Sequence, residues 1–183
     1  MKPWAKQKGF TIVELLIVIV VIGILAAITI VAYNGIQQRG RDAQRQSDIK
    51  TVAKALEMYY LDEGRFPPAQ GSASIGSGWS STADNSWANL AFYLVPKYIS
   101  ALPRDPISTP GTNITNAQGY NYGFFADKSG YYCNPGVGQV YILVFRLESS
   151  SQENTLQGIC TTGTGGPYAL SPYSNVSNYR IVK

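Results

Sequence analysis

Residues 10–32 read FTIVELLIVIVVIGILAAITIVA, a run of 23 residues in which a single side chain is charged. At about 1.5 Å of rise per helical residue the run is roughly 34 Å long, enough to cross a hydrocarbon core of about 30 Å. The charge is Glu14, close to the start of the run. A carboxylate placed in hydrocarbon costs several kcal/mol, so an acid there is a functional residue in search of a partner.

The flanks narrow what this segment is. Lys2, Lys6 and Lys8 precede it as basic residues precede a cleaved secretory signal. The run is longer than the apolar region of about 7–15 residues such signals carry, and none of Ala26, Ala27 or Ala32 has a small residue two positions before it. Ordinary signal cleavage therefore fits poorly. Counting charges leaves the orientation open, because Arg39, Arg41, Arg45 and Lys50 follow the span while Asp42 and Asp48 offset them only in part.

The local pattern is more specific. A short basic leader ends in Gly9. Phe10, Thr11 and a glutamate five positions into the apolar segment follow, then Gly23, Ala26-Ala27 and Ala32-Tyr33. The stretch GFTIVELLIVIVVIGILAAI resembles the class III signal of type IV pilins and of type II secretion pseudopilins, over about the first fifth of the chain.

That resemblance implies cleavage of the Gly9–Phe10 bond by a membrane-embedded prepilin peptidase, which also methylates the new amino terminus of Phe10. It further implies that Glu14 serves filament assembly by pairing with the terminus of a neighbouring subunit. Physically, cleavage creates an ammonium where the carboxylate needs compensation, and opposite charges attract more strongly at low dielectric than in water. Residues 10 and 14 share a helix face, so Glu14 can also reach its own terminus. The alternative is an acid that merely snorkels to the interface, since it lies near one end of the span. Many pilins of the family carry a helix-breaking proline where this chain has Val31, so any joint in the helix is expected at Gly35 and Gly40, each worth about 1 kcal/mol against alanine.

Past the span the helical pattern continues. Ile49, Val52, Ala53, Leu56, Tyr59 and Tyr60 recur at spacings of three and four, with Asp48, Lys50, Lys54 and Glu57 in the gaps, predicting an amphipathic helix that ends at Gly64 before Phe66-Pro67-Pro68. Residues 69–86 are rich in glycine and serine and read as a loop; Ser86 is placed to cap a short helix through Leu94. Strands are expected at 120–126, 130–133, 139–147 and 179–182 from their Tyr, Phe, Val and Ile content between turn residues. The fold class is α+β: a long N-terminal helix, its first half transmembrane, packed on a small antiparallel sheet, as in pilins. The expected divisions are a leader (1–9), a transmembrane and polymerisation helix (10–33), an amphipathic continuation (34–64) and a β-rich head (65–183).

The segment LVPKYISALPRDP (94–106) is similar to the stretch leading into the sheet of major pseudopilins, although Ile107-Ser108 replaces the tryptophan-glycine usual there. The same likeness makes Asp105 and Asp127 weak calcium candidates. Cys133 and Cys160 are the only cysteines. Pilins commonly tie down their C-terminal region with a disulfide, and this pair would close a loop of about 28 residues worth roughly 3–4 kcal/mol in the chain-entropy model. Two unpaired thiols are the alternative. Asn113-Ile-Thr and Asn175-Val-Ser fit a glycosylation pattern short enough to arise by chance.

The net charge of +4 does not establish a nucleic-acid binder. Removing residues 1–9 takes three lysines and leaves 12 basic residues against 11 acidic ones. The thirteen tyrosines read better as sheet core and subunit contacts than as a base-stacking platform, although some pili bind DNA and that partner stays open. With no histidine, no Gly-x-Ser-x-Gly and no phosphate loop, neither an enzyme nor a cofactor is expected. The first function reading is a type IV pilus subunit serving adhesion, motility or DNA uptake. The alternative is a pseudopilin of a type II secretion or competence system, and a third is a monomeric membrane-anchored binding module. The partners implied are other pilin subunits, the prepilin peptidase, the platform membrane protein and the assembly ATPase. The implied location is the cytoplasmic membrane as a single-pass protein, then an extracellular pilus or a periplasmic or wall-spanning pseudopilus.

Overall fold

A computed structural model of the chain describes residues 9–71, 78–111, 119–126, 136–149 and 178–182. Helix α1 (Ile12–Glu63) is 52 residues long and continues through Gly35 and Gly40, so neither glycine breaks it. The chain divides into two compact units, Met1–Arg39 and Gly40–Lys183, and α1 contributes to both.

In the first unit the apolar side chains of α1 are exposed, from Ile12 through Leu15, Ile22 and Ile28 to Ile36. Among the described residues α1 is the one helix long and apolar enough to cross a membrane. Its interior hydroxyl is satisfied within the helix: Thr29 Oγ1 donates to the carbonyls of Leu25 and Ala26, each at 3.0 Å.

In the second unit the amphipathic stripe meets a core. Ile49, Val52, Ala53, Leu56 and Tyr59 are buried in one cluster with Trp87, Leu90, Leu94, Phe124, Tyr141 and Leu143, and Tyr60 packs against it half-buried. The spacing of three and four put those residues on one face, as the sequence predicts. Gly64 ends α1 in the left-handed region (φ 70°) while its N–H donates to the Tyr60 carbonyl at 2.8 Å. A glycine is suited there because a side chain is disfavoured at positive φ.

Strand β1 (Trp79–Ser81) follows, inside the stretch expected to be loop. Helix α2 (Ser86–Leu94) ends at Leu94 as predicted but starts at Ser86 itself, with Asn85 in the cap position. Ser86 is its first helical residue; the Asp84 carboxylate accepts the Ser86 N–H at 2.9 Å, while the Ser86 hydroxyl accepts the Ser81 N–H at 2.8 Å. Strands β2 (Gly123–Ala126), β3 (Tyr141–Phe145) and β4 (Asn178–Val182) complete an antiparallel sheet in the order β1-β2-β3-β4. Register is set by pairs such as Trp79 with Phe125, Phe124 with Leu143, and Leu143 with Arg180. Three of the four expected strands are present with shorter or shifted ends. The fourth, 130–133, lies outside the described residues, as do residues 1–8, Asn113, Asp127, Cys133, Cys160 and Asn175.

Candidate processing and assembly site, and the buried charge cluster

Gly9 and Phe10 precede the helix in non-helical backbone and are exposed, Phe10 at 86%. A Cβ built on Gly9 would meet nothing within 4 Å, so nothing in this chain's own packing demands glycine at that position. Thr11 and Glu14 form a reciprocal pair. Glu14 N–H donates to Thr11 Oγ1 at 3.2 Å, while Thr11 N–H and Thr11 Oγ1 both donate to Glu14 Oε2 at 2.8 Å. This is a capping box, in which a threonine and a glutamate three residues later satisfy each other's orphan donors. The spacing Thr-x-x-Glu was legible in the sequence, where reading the carboxylate only as a charge missed it. Glu14 thus has an acceptor role within its own chain.

The second site is in the head, and its central residue was counted from sequence only as a flanking cation. The Arg45 side chain is wholly buried. Its Nε and Nη2 donate to the two Asp105 oxygens at 2.7 and 3.1 Å, and its Nη1 donates to Asp42 Oδ1 at 2.9 Å and Glu148 Oε1 at 2.6 Å. The Tyr120 ring covers the guanidinium, its centroid 4.6 Å from Cζ. Arg41 forms a second fork, with Nε and Nη2 on the two Glu148 oxygens at 2.7 and 2.5 Å. Asp42 accepts the N–H groups of Glu148 and Ser149, each at 2.9 Å, and the Ser149 hydroxyl at 2.7 Å. α1 is thereby fastened to the segment after α2 and to the segment after β3.

The electrostatics follow from that geometry. Burial opposes the charge on Arg45, but hydrogen bonds to Asp105, Glu148 and Asp42 hold it protonated well above its ordinary value. The Arg41 hydrogen bond, with help from Arg45, holds Glu148 below the usual carboxylate range. Asp42 is pushed up by burial, yet the Glu148 and Ser149 donors and Arg45 outweigh it and leave it lowered. Asp48 goes the other way, raised by burial despite accepting the Tyr122 hydroxyl at 2.8 Å. The sequence placed Asp48 among the solvated gap residues of the helix; the structure makes it half-buried.

Asp105 is a calcium candidate from sequence, and its surroundings do not suit a calcium ion. Both oxygens face the Arg45 fork, and Oδ1 also accepts the Ile107 N–H at 2.9 Å. A calcium ion would need the carboxylate that the guanidinium already neutralises, so the described member of that pair is a poor ligand. Ser108, two residues on from Pro106, sits at φ 40°, a strained conformation held by the same turn.

Residues 4–30 match the family described as a prokaryotic N-terminal methylation motif. The chain is 31% identical over 115 residues to a type II secretion system core protein G of Aeromonas hydrophila, covering 62% of this chain and 76% of that protein. It is 36% identical over 107 residues to the core protein G of Escherichia coli, covering 58% and 70%, and 31% identical over 107 residues to that of Vibrio cholerae, covering 58% and 69%. No solved structure is significantly similar.

Proposed function

Because the chain belongs to the type IV pilin and pseudopilin family, we propose that it is a pseudopilin, a structural subunit of the short filament of a type II secretion machine. The observation that carries this reading is the reach of the similarity. The matched stretch of 115 residues far exceeds the N-terminal motif at 4–30, so it extends beyond the signal that pilins and pseudopilins share. The order of the two leading sequence readings is therefore reversed: the relatives favour the pseudopilin over the pilus subunit.

In this reading the leader is cut at Gly9–Phe10, Phe10 is methylated, and the 10–33 segment holds the subunit in the membrane until it enters the filament. The Phe10 ammonium of one subunit compensates the Glu14 carboxylate of the next, while the exposed apolar face of α1 packs against other copies. The buried cluster supports the same role by fixing the head to α1, so that the helix carries the head with it into the filament. Other pilin subunits, the prepilin peptidase, the platform membrane protein and the assembly ATPase are the partners.

The test is genetic and chemical together. Deleting the gene should abolish export of the secreted proteins while leaving surface pili intact, and mass spectrometry of membrane material should find a mature chain beginning with N-methylated Phe10. Long surface filaments containing this chain at native expression, with export undisturbed, would return the assignment to a pilus subunit.

A further inference from the structure

We propose that Thr11 is a positioning residue for leader cleavage, acting through the capping box to keep the Gly9–Phe10 bond out of the helix; this rests on the processing reading above. The argument begins with the donors at the start of α1. The first four N–H groups of a helix have no partner within it, and inside a bilayer no water can serve them. Such a helix either receives a side-chain cap or winds further upstream until something stops it. Upstream winding would give the Glu14 N–H to the Phe10 carbonyl, the Val13 N–H to the Gly9 carbonyl and the Thr11 N–H to the carbonyl of residue 7.

The structure commits two of those donors elsewhere. The Glu14 N–H is on Thr11 Oγ1 and the Thr11 N–H is on Glu14 Oε2, so the box and the upstream turn are mutually exclusive. Residues 9–11 are accordingly non-helical, with Gly9 and Phe10 exposed. Gly9 adds to the stop, because glycine is a poor helix former by about 1 kcal/mol against alanine.

The consequence is chemical. Hydrolysis adds water across the Gly9–Phe10 amide, giving a Gly9 carboxylate and a Phe10 ammonium, and the attacked carbonyl must be approachable from one face. In a helix that carbonyl would be engaged by the Val13 N–H and flanked by the next turn. The box leaves it three residues ahead of Ile12, outside the helix.

The experiment uses full-length precursor in membranes with prepilin peptidase, following leader loss over time. Thr11→Val keeps the shape and removes the acceptor, and should slow cleavage about fivefold, the loss typical of a missing N-cap. Thr11→Ser and Thr11→Asn, which cap as well or better, should stay within about twofold of wild type. In detergent micelles, carbon chemical shifts of Gly9 and Phe10 should move toward helical values in Thr11→Val and remain non-helical in Thr11→Asn. Cleavage of Thr11→Val at the wild-type rate would overturn the inference alone. So would Thr11→Asn as slow as Thr11→Val, since the peptidase would then be reading the threonine itself. An uncut wild-type chain would overturn the processing reading, and this inference with it.

Discussion

Glu14 carries two distinct chemistries on one carboxylate. Within its chain it accepts from Thr11, and in a filament its charge would meet an ammonium from another subunit. Substitution can separate them. Glu14→Gln preserves the capping spacing, which accepts glutamine as well as glutamate, and removes only the charge. Glu14→Gln should insert in the membrane and lose the leader nearly normally, whereas Glu14→Ala also removes the acceptor of the Thr11 N–H and should insert but lose the leader more slowly; both should yield little or no polymer when sheared or pelleted filaments are quantified. Normal polymer from both would mean that the carboxylate only snorkels and that apolar helix packing suffices. Arg45 is the matching residue in the head. Removing one partner of a buried ion pair leaves uncompensated charge and typically costs about 3–5 kcal/mol. Arg45→Ala strips the shared cation from Asp42, Asp105 and Glu148, so a loss in that range is expected in denaturant unfolding of the detergent-solubilised chain, followed by tryptophan fluorescence. Arg45→Lys should recover only part of it, because an ammonium cannot reproduce the planar fork on Asp105.

At the scale of elements, the cluster couples α1, the segment after α2 and the segment after β3, and its titration should be visible as a pH dependence of their joint stability. Asp42 and Glu148 are held below the ordinary carboxylate range. Their contribution is therefore present above that range and lost as pH falls through their lowered values. Asp48 is raised, so its charged form weakens the fold near neutrality and protonation relieves it as pH falls through its own higher value. Thermal unfolding scanned from neutral pH downward should show a plateau or slight gain first, then a steep loss. Asp48→Asn should remove the early gain and leave the late loss. The elements themselves were unequally legible. α1 and α2 followed from periodicity and from Gly64 and Pro96, because a helix satisfies its own backbone within one segment. β1 was missed because Trp79-Ser80-Ser81 is short and mostly polar; Ser80 and Ser81 are buried by tertiary partners, pairing with Phe124 and Gly123 across the sheet and, for Ser81, donating its N–H to the Ser86 hydroxyl.

For the whole molecule, the remaining covalent expectation is the Cys133–Cys160 bond, which lies outside the described residues. Non-reducing peptide mapping of the exported chain should recover one cross-linked pair, and thiols that alkylate in native protein would argue against it. What the sequence determined alone was everything written in a single continuous segment. This covers the apolar run of membrane-crossing length, the acid at its start, the Thr-x-x-Glu spacing beside it, and the stripe from Ile49 to Tyr60. Each depends on spacing along one helix or on local composition, which the order of residues states directly. Tertiary structure decided the partners. Arg45 reads in the sequence as one flanking cation among four, and only folding brings Asp105, 60 positions away, and Glu148, 103 positions away, onto one guanidinium. The same folding turns Asp105 from a calcium candidate into an arginine partner, because which opposite charge a buried carboxylate meets depends on which distant segment packs beside it.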